Sequence, residues 1–340
     1  MKTVSNLHPT LVVTSISEPN LVLQALAKGC QTQDMSFILV GDTRSPDDFK
    51  LDGCQFFSIA QQLESGLEFA RLCPTQKYSR KNIGYLLAAQ QGATVIVETD
   101  DDNFPYESFW PVYDRHQSLP QSTQAGWLNV YRYFTDALIW PRGLPLNQVN
   151  SDLPEFKKLP SATVDCPIQQ GLADDNPDVD AIYRLLLPLP LKFRSDRNLA
   201  LSAGSWCPFN SQNTTWWQDA FLLMYLPTYC SFRMTDIWRS FIAQKIAWAN
   251  DWSVLFHQPT VWQERNEHNL MQDFRQEVDG YLRNHELRIA LERVELRPGV
   301  AEIPDNLRRC YQHLIELEFF AAEETTLLEA WLTDWQGLCQ

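Results

Sequence analysis

The chain has 340 residues, 44% of them hydrophobic and 21% charged, enough apolar material for a full core in one large domain or two modest ones. Its formal net charge of −14 argues against nucleic acid and anionic membrane as partners. An anionic ligand would have to be met locally, by a metal or a few placed cations. No apolar run follows the start, and no stretch reaches the roughly 18 apolar residues of a membrane span. The expected location is therefore cytoplasmic, with no integral membrane segment. The eight cysteines form no CxxC pair, so they read as reduced, mostly buried thiols rather than a zinc site.

In chain order, residues 11–16 predict a strand, 21–28 a helix stopped by Gly29, and 36–40 a second strand ended by Gly41-Asp42. Residues 56–59 predict an edge strand, 79–91 a helix stopped by Gly92, and 94–99 a strand that runs into Asp100-Asp101-Asp102-Asn103. Strands alternating with helices imply a doubly wound, mostly parallel sheet with ligands beyond its carboxyl ends. That rule puts Thr14, Ser15, Asp42 and residues 100–103 on one rim. Residues 104–210, rich in proline and aromatics, predict irregular structure with short strands. Helices are predicted at 216–226 and 235–250, and from about 262 to the end with a break near 298–304. The expected organisation is a domain over 1–255 and a helical extension over 256–340 packed on it. That extension packs within the chain or forms a homo-oligomer.

Three adjacent carboxylates repel one another, which costs stability unless a ligand uses them. Side chains alternate along a strand, so Asp100 and Asp102 share a side and suit Mn²⁺ or Mg²⁺ completed by phosphates and water. Arg80 and Lys81 open a helix and could hold a diphosphate, with Asn82 on a ribose or sugar hydroxyl. Asp42 lies where a base or ribose contact would be. Trp206, Trp216 and Trp217 are either sugar platforms or core. Asp236 is either a base toward an acceptor hydroxyl or an N-cap acid, and Arg239 lies one turn on. His268 is a candidate metal or phosphate ligand.

The run Arg80-Lys81-Asn82-Ile83-Gly84-Tyr85 and the stretch from Val97 through Asn103 resemble the STELLO family of glycosyltransferases. So do Trp140-Pro141-Arg142-Gly143-Leu144-Pro145-Leu146, Pro167 through Asp174 and Asp178-Val179-Asp180-Ala181. The likeness continues at Cys207 through Thr214, Phe232-Arg233 with Asp236-Ile237-Trp238-Arg239, and Arg265-Asn266 with His268. More distantly the chain is similar to the reversibly glycosylated polypeptides, UDP-arabinopyranose mutases whose self-glycosylated arginine would match Arg142. The resemblance implies a GT-A-like, Rossmann-like α/β fold with a mixed, mostly parallel sheet flanked by helices, a nucleotide-sugar donor (UDP first), a carbohydrate acceptor and a divalent metal. It implies Asp102, Asp100 and His268 at the metal, and Thr14, Ser15, Asp42, Arg80, Asn82, Asp100 and Asp101 at the nucleotide. Asp236 and Arg142 would be catalytic, with Gln170, Asp174, Asn213, Trp238 and Arg239 toward sugar or acceptor. Three activities stay open: glycosyl transfer, mutase chemistry through Arg142, and non-catalytic nucleotide-sugar binding.

Overall fold

The computed structural model describes residues 7–264 and 269–338. Its first third follows the sequence pattern. β1 (Pro9–Thr14), α1 (Leu21–Thr32), β2 (Ser36–Val40) and β3 (Gln55–Phe57) are followed by α2 (Ile59–Glu64), α3 (Glu68–Leu72), α4 (Lys81–Gln90) and β4 (Val95–Thr99). These strands lie in the order β3-β2-β1-β4, all parallel, so their carboxyl ends form one rim. Asn20 accepts the Leu23 N–H at 2.8 Å and starts α1, and Ser58 with Gln61 forms a capping box on α2. Gly29 does not stop α1, which runs on to Thr32. A Cβ at position 29 would lie 1.9 Å from Trp110 Cζ2, so the glycine admits an indole ring rather than ending the helix.

The middle of the chain departs from expectation. It holds β5 (Asn103–Pro105), β6 (His116–Ser122), β7 (Gly126–Trp127), α5 (Tyr131–Phe134), β8 (Ser161–Asp174), α6 (Ala181–Leu186), β9 (Leu199–Leu201), β10 (Ser205–Trp206) and β11 (Asn213–Trp217). β8 spans 14 residues within the stretch expected to be irregular. Its Pro167, Gly171 and paired glutamines hide the strand pattern, yet Gln169 and Gln170 are buried and hydrogen-bonded. The helix expected at 216–226 is instead the end of β11 and a 3-10 turn over 218–224. Thr214, Thr215 and the two tryptophans suit a strand, and β11 is inserted antiparallel between β4 and β8.

α7 (Thr235–Ala249), β12 (Trp252–Gln263), α8 (Leu270–Arg293), α9 (Ile303–Glu316) and α10 (Glu324–Leu338) complete the order. β12 runs parallel to β8 and antiparallel to β9 and β5, while β6 pairs with both β8 and β9. The ring β8-β6-β9-β12 closes the sheet into a barrel-like end. The sheet is mixed, as expected, but it is mostly parallel only over its first four strands.

The boundary expected at residue 255 falls inside β12, and the helices after it begin at Leu270. Their apolar faces are not a separate layer. Leu307, Tyr311, Trp331 and Leu332 share one buried cluster with Ile83, Trp216 and Phe241. Polar ties reinforce it. Buried Glu324 accepts the N–H groups of Thr228 and Tyr229, and Asp334 accepts those of Glu68 and Phe69 at the start of α3. Among the described residues no helix is long and apolar enough to cross a membrane. The seven described cysteines are free. Burial pushes Cys30, Cys166, Cys207 and Cys310 up to about 12, so they are inert thiols.

Candidate active site

A cavity of about 450 Å³ opens at the carboxyl rim of β1, β2 and β4. Six carboxylates and six cations line it. In a chain of net charge −14, that balance makes the cavity a place where positive charge is concentrated.

One wall is the loop after β4. Asp100 Oδ1 accepts from Tyr78 OH at 2.9 Å and Lys81 Nζ at 3.1 Å. The Lys81 ammonium is fully buried and also meets the carbonyls of Thr99 (2.7 Å) and Ser211 (3.2 Å). Burial raises the Asp100 pKa, against the pull of Lys81 and Tyr78. Asp101 turns the other way, accepting from Ser15 Oγ and from Ser17 Oγ at 3.2 Å. Its carbonyl accepts from Asn20 at 2.9 Å, which ties the loop to the start of α1. Asp102 accepts from Gln263 Nε2 of β12 at 3.0 Å.

The opposite wall is a guanidinium between two carboxylates. Arg142 donates Nε and Nη2 to Asp178, both at 2.8 Å. It donates Nη1 and Nη2 to Asp236 at 3.0 and 2.9 Å, and Nη1 also meets the Arg233 carbonyl. Such forked pairs fix geometry as well as charge. Gly143, at φ 91°, lets the chain turn directly behind the arginine; a Cβ there would strike Ile237. Burial opposes both charges, but the pairing outweighs it. It holds Arg142 above its ordinary pKa and Asp236 well below the carboxylate range.

Tyr78 joins the walls. Its hydroxyl lies 2.6 Å from Ser211 Oγ, which in turn lies 3.3 Å from Asp236 Oδ2. Burial first, and Asp100 second, raise the Tyr78 pKa well above normal, so the hydroxyl stays protonated.

Of the residues expected at the site, Thr14, Ser15, Asp42, Arg80, Asp100, Asp101, Asp102, Arg142 and Asp236 line the cavity. Two of them are also committed to the framework. Arg80 donates Nε to Gln62 Oε1 at 3.0 Å and Nη1 to the Cys73 carbonyl at 2.8 Å. Asp42 accepts the N–H groups of Thr43 and Gln76.

The rest lie away from the cavity, in the core. Asn82 makes paired bonds to the Leu226 backbone. Gln170 binds Asn210 and Asn213 backbone groups, and Asn213 reaches Thr260. Asp174 accepts the Phe193 N–H. Trp238 donates to Asn284, and Arg239 is buried on Glu98 at 2.8 Å, beneath Trp216. Trp206 and Trp216 are also core. His268 lies outside the described residues. Tyr78, Asp178, Ser211, Gln212, Arg233, Gln263 and the rim cations Arg44 and Lys77 line the cavity without having been expected there. Arg44 follows the readable turn after β2, and Asp178, Ser211 and Arg233 sit inside motifs that the family likeness had marked.

Among the described residues no group of three or more His, Cys, Asp or Glu side chains is placed to hold a metal ion. Both Asp100 contacts use Oδ1, and Asp102 lies two residues on. One or two carboxylates, completed by phosphate oxygens and water, is the coordination that Mg²⁺ ordinarily takes. The residues fit an ion shared with a bound diphosphate.

Comparison with known proteins agrees with this likeness. The family model described as STELLO glycosyltransferases matches residues 233–339, from Arg233 on the cavity wall to the end of α10. The chain is 27% identical to "Probable glycosyltransferase STELLO2" of Arabidopsis thaliana, over 95% of this chain and 44% of that protein. It is 28% identical to "Probable glycosyltransferase STELLO1" of the same plant, over 74% and 35% respectively. It thus spans less than half the length of these relatives. A solved mycobacterial protein shares 11% identity at a TM-score of 0.41, over 90% of this chain and 76% of that one. The chain is a relative of the STELLO glycosyltransferases.

Proposed function

We propose that the chain is a metal-dependent glycosyltransferase that takes a nucleotide-diphosphate-sugar donor, UDP-linked first, in a GT-A-like site and passes the sugar to a carbohydrate acceptor. The observation that carries the reading is the convergence of the acidic loop after β4 and the Arg142–Asp178–Asp236 cluster on one cavity at the rim of a parallel β-sheet. The parallel order β3-β2-β1-β4, followed by antiparallel β11, supports the GT-A-like fold. Thr14, Ser15 and Asp42 would flank the nucleoside. Asp102, with Asp100, would hold Mn²⁺ or Mg²⁺, which when bound supplies charge for a departing diphosphate. Buried Lys81 offsets part of the acidic charge and fixes Asp100. Asp236, with its depressed pKa, is a weak proton acceptor but a strong hydrogen-bond acceptor, suited to orienting a sugar hydroxyl.

Self-glycosylation at Arg142 gains no support from this geometry. A guanidinium with four bonds to carboxylates and a raised pKa is a poor nucleophile. Thermal melting with UDP and with GDP, each with and without Mn²⁺, tests the main reading. A metal-dependent rise lost in Asp102→Ala supports it. No rise with either nucleotide rejects it in favour of a role without a nucleotide.

A further inference from the structure

The cavity wall made by Arg142, Asp178 and Asp236 comes from three separate stretches of chain, and one helix, α8, holds all three. Glu277, whose side chain is 1% exposed, accepts the Ala181 N–H at 2.7 Å, just after the Asp178–Asp180 turn. Its other oxygen accepts from Arg233 Nε at 3.0 Å. Two helical turns further on, Asn284 donates to the Gly143 carbonyl at 2.7 Å and accepts from Trp238 at 2.8 Å. Arg233 is anchored through Nε only. Its side chain lines the cavity, and among the described residues its two terminal nitrogens meet no side chain or carbonyl. An arginine held at Nε by a buried carboxylate presents a preorganised fork for an anionic oxygen.

We infer that Arg233 binds a phosphate oxygen of the ligand and that Glu277 is its positioning residue, so that α8 is part of the binding site. The inference rests on the nucleotide-diphosphate reading above.

The test is calorimetric titration of the full chain with inorganic pyrophosphate and with UDP, in Mn²⁺, for wild type, Arg233→Gln, Glu277→Gln and Glu277→Asp. Arg233→Gln is expected to weaken both ligands roughly tenfold to a hundredfold; because it also leaves buried Glu277 without its cation, each affinity is read well below the variant's own melting temperature. Glu277→Gln is expected to weaken both by a smaller factor, and Glu277→Asp, which keeps the charge, to recover part of the loss. Wild-type affinity in Arg233→Gln overturns the ligand contact. Loss in Arg233→Gln but none in Glu277→Gln overturns the positioning role. A wild-type chain that binds neither pyrophosphate nor UDP overturns the diphosphate reading itself, and this inference with it.

Discussion

The two walls of the cavity solve the problem of clustered charge in opposite ways. The loop at Asp100–Asp102 is contiguous in sequence, and its Asp100 is held by one buried ammonium, Lys81. The Arg142 cluster is assembled from residues 142, 178 and 236, and its charges are paired and buried. The first wall presents carboxylates from adjacent residues to the cavity, whereas the second pairs its charges across three stretches of the chain. Their mutational behaviour should therefore diverge: the paired wall is tied to stability, and the acidic wall to ligand.

The largest expected effect is at the paired wall. Arg142→Ala removes the guanidinium that bridges Asp178 and Asp236, and breaking a buried pair in this way costs about 3–5 kcal/mol. Urea denaturation checks it. The pH dependence sharpens the result. Asp236 has a depressed folded pKa, so its contribution is present above the ordinary carboxylate pKa and is lost as pH falls through the folded value. Without Arg142, Asp236 loses the largest influence holding its pKa down against burial, so the acid-dependent loss of stability should shrink. A variant that loses less than about 1 kcal/mol would show that the cluster does not bear on stability, and would erase the contrast between the walls.

A second titration occupies a different window and must be separated from the first. His257 in β12 is buried against Tyr113, and burial lowers its pKa from 6.5 to about 4. The unfolded chain binds this proton first. Stability is full above the unfolded pKa and declines as pH falls from 6.5 to 4, by about 3 kcal/mol at one pKa unit per 1.36 kcal/mol. His257→Gln should flatten the stability–pH curve in that window and leave the Asp236 limb below it unchanged.

The walls also differ in how far the sequence disclosed them. A triplet of carboxylates after a β-branched strand is a local signal, and Asp100, Asp101 and Asp102 lie where it points. Arg142, Asp178 and Asp236 each sit in a recognisable motif, but nothing local says that they meet. Asp174 was expected toward sugar or acceptor and is spent on Phe193, whereas Asp178, marked only as part of a motif, lines the cavity. Asn213 was expected where Ser211 stands. Arg80 reads as a phosphate cation from its place at a helix start, yet its bonds go to Gln62 and Cys73. Which face of a turn reaches a cavity is a tertiary property. The same holds for β8, whose Gln170 bonds to Asn210, Asn213 and Thr214, residues 40 or more away in the chain.

Tyr78→Phe tests whether the walls are coupled. It keeps the ring on Phe232 and removes a hydroxyl that meets Asp100 and Ser211, at an expected cost of about 1–2 kcal/mol. Combined with Asp236→Asn, it should deviate from additivity by at least about 0.5 kcal/mol, because both alter the hydrogen bonds of Ser211. An additive double variant would mean that the walls act independently.

The smallest effect on stability should accompany the largest loss of ligand. Asp102 lies on the acidic wall and accepts from Gln263, a bond that an asparagine oxygen can still accept. Asp102→Asn also removes one charge from a self-repelling loop. Its melting temperature without ligand should therefore correspond to a change within about 0.5 kcal/mol of wild type, as for most substitutions outside a core. A saturating nucleotide and metal should stabilise the wild type by about 2.7 kcal/mol at a hundredfold excess over Kd, and most of that should vanish in the variant. If Asp102→Asn instead destabilises the unliganded chain as Arg142→Ala does, the acidic loop is built for the fold, and the division of labour between the two walls fails.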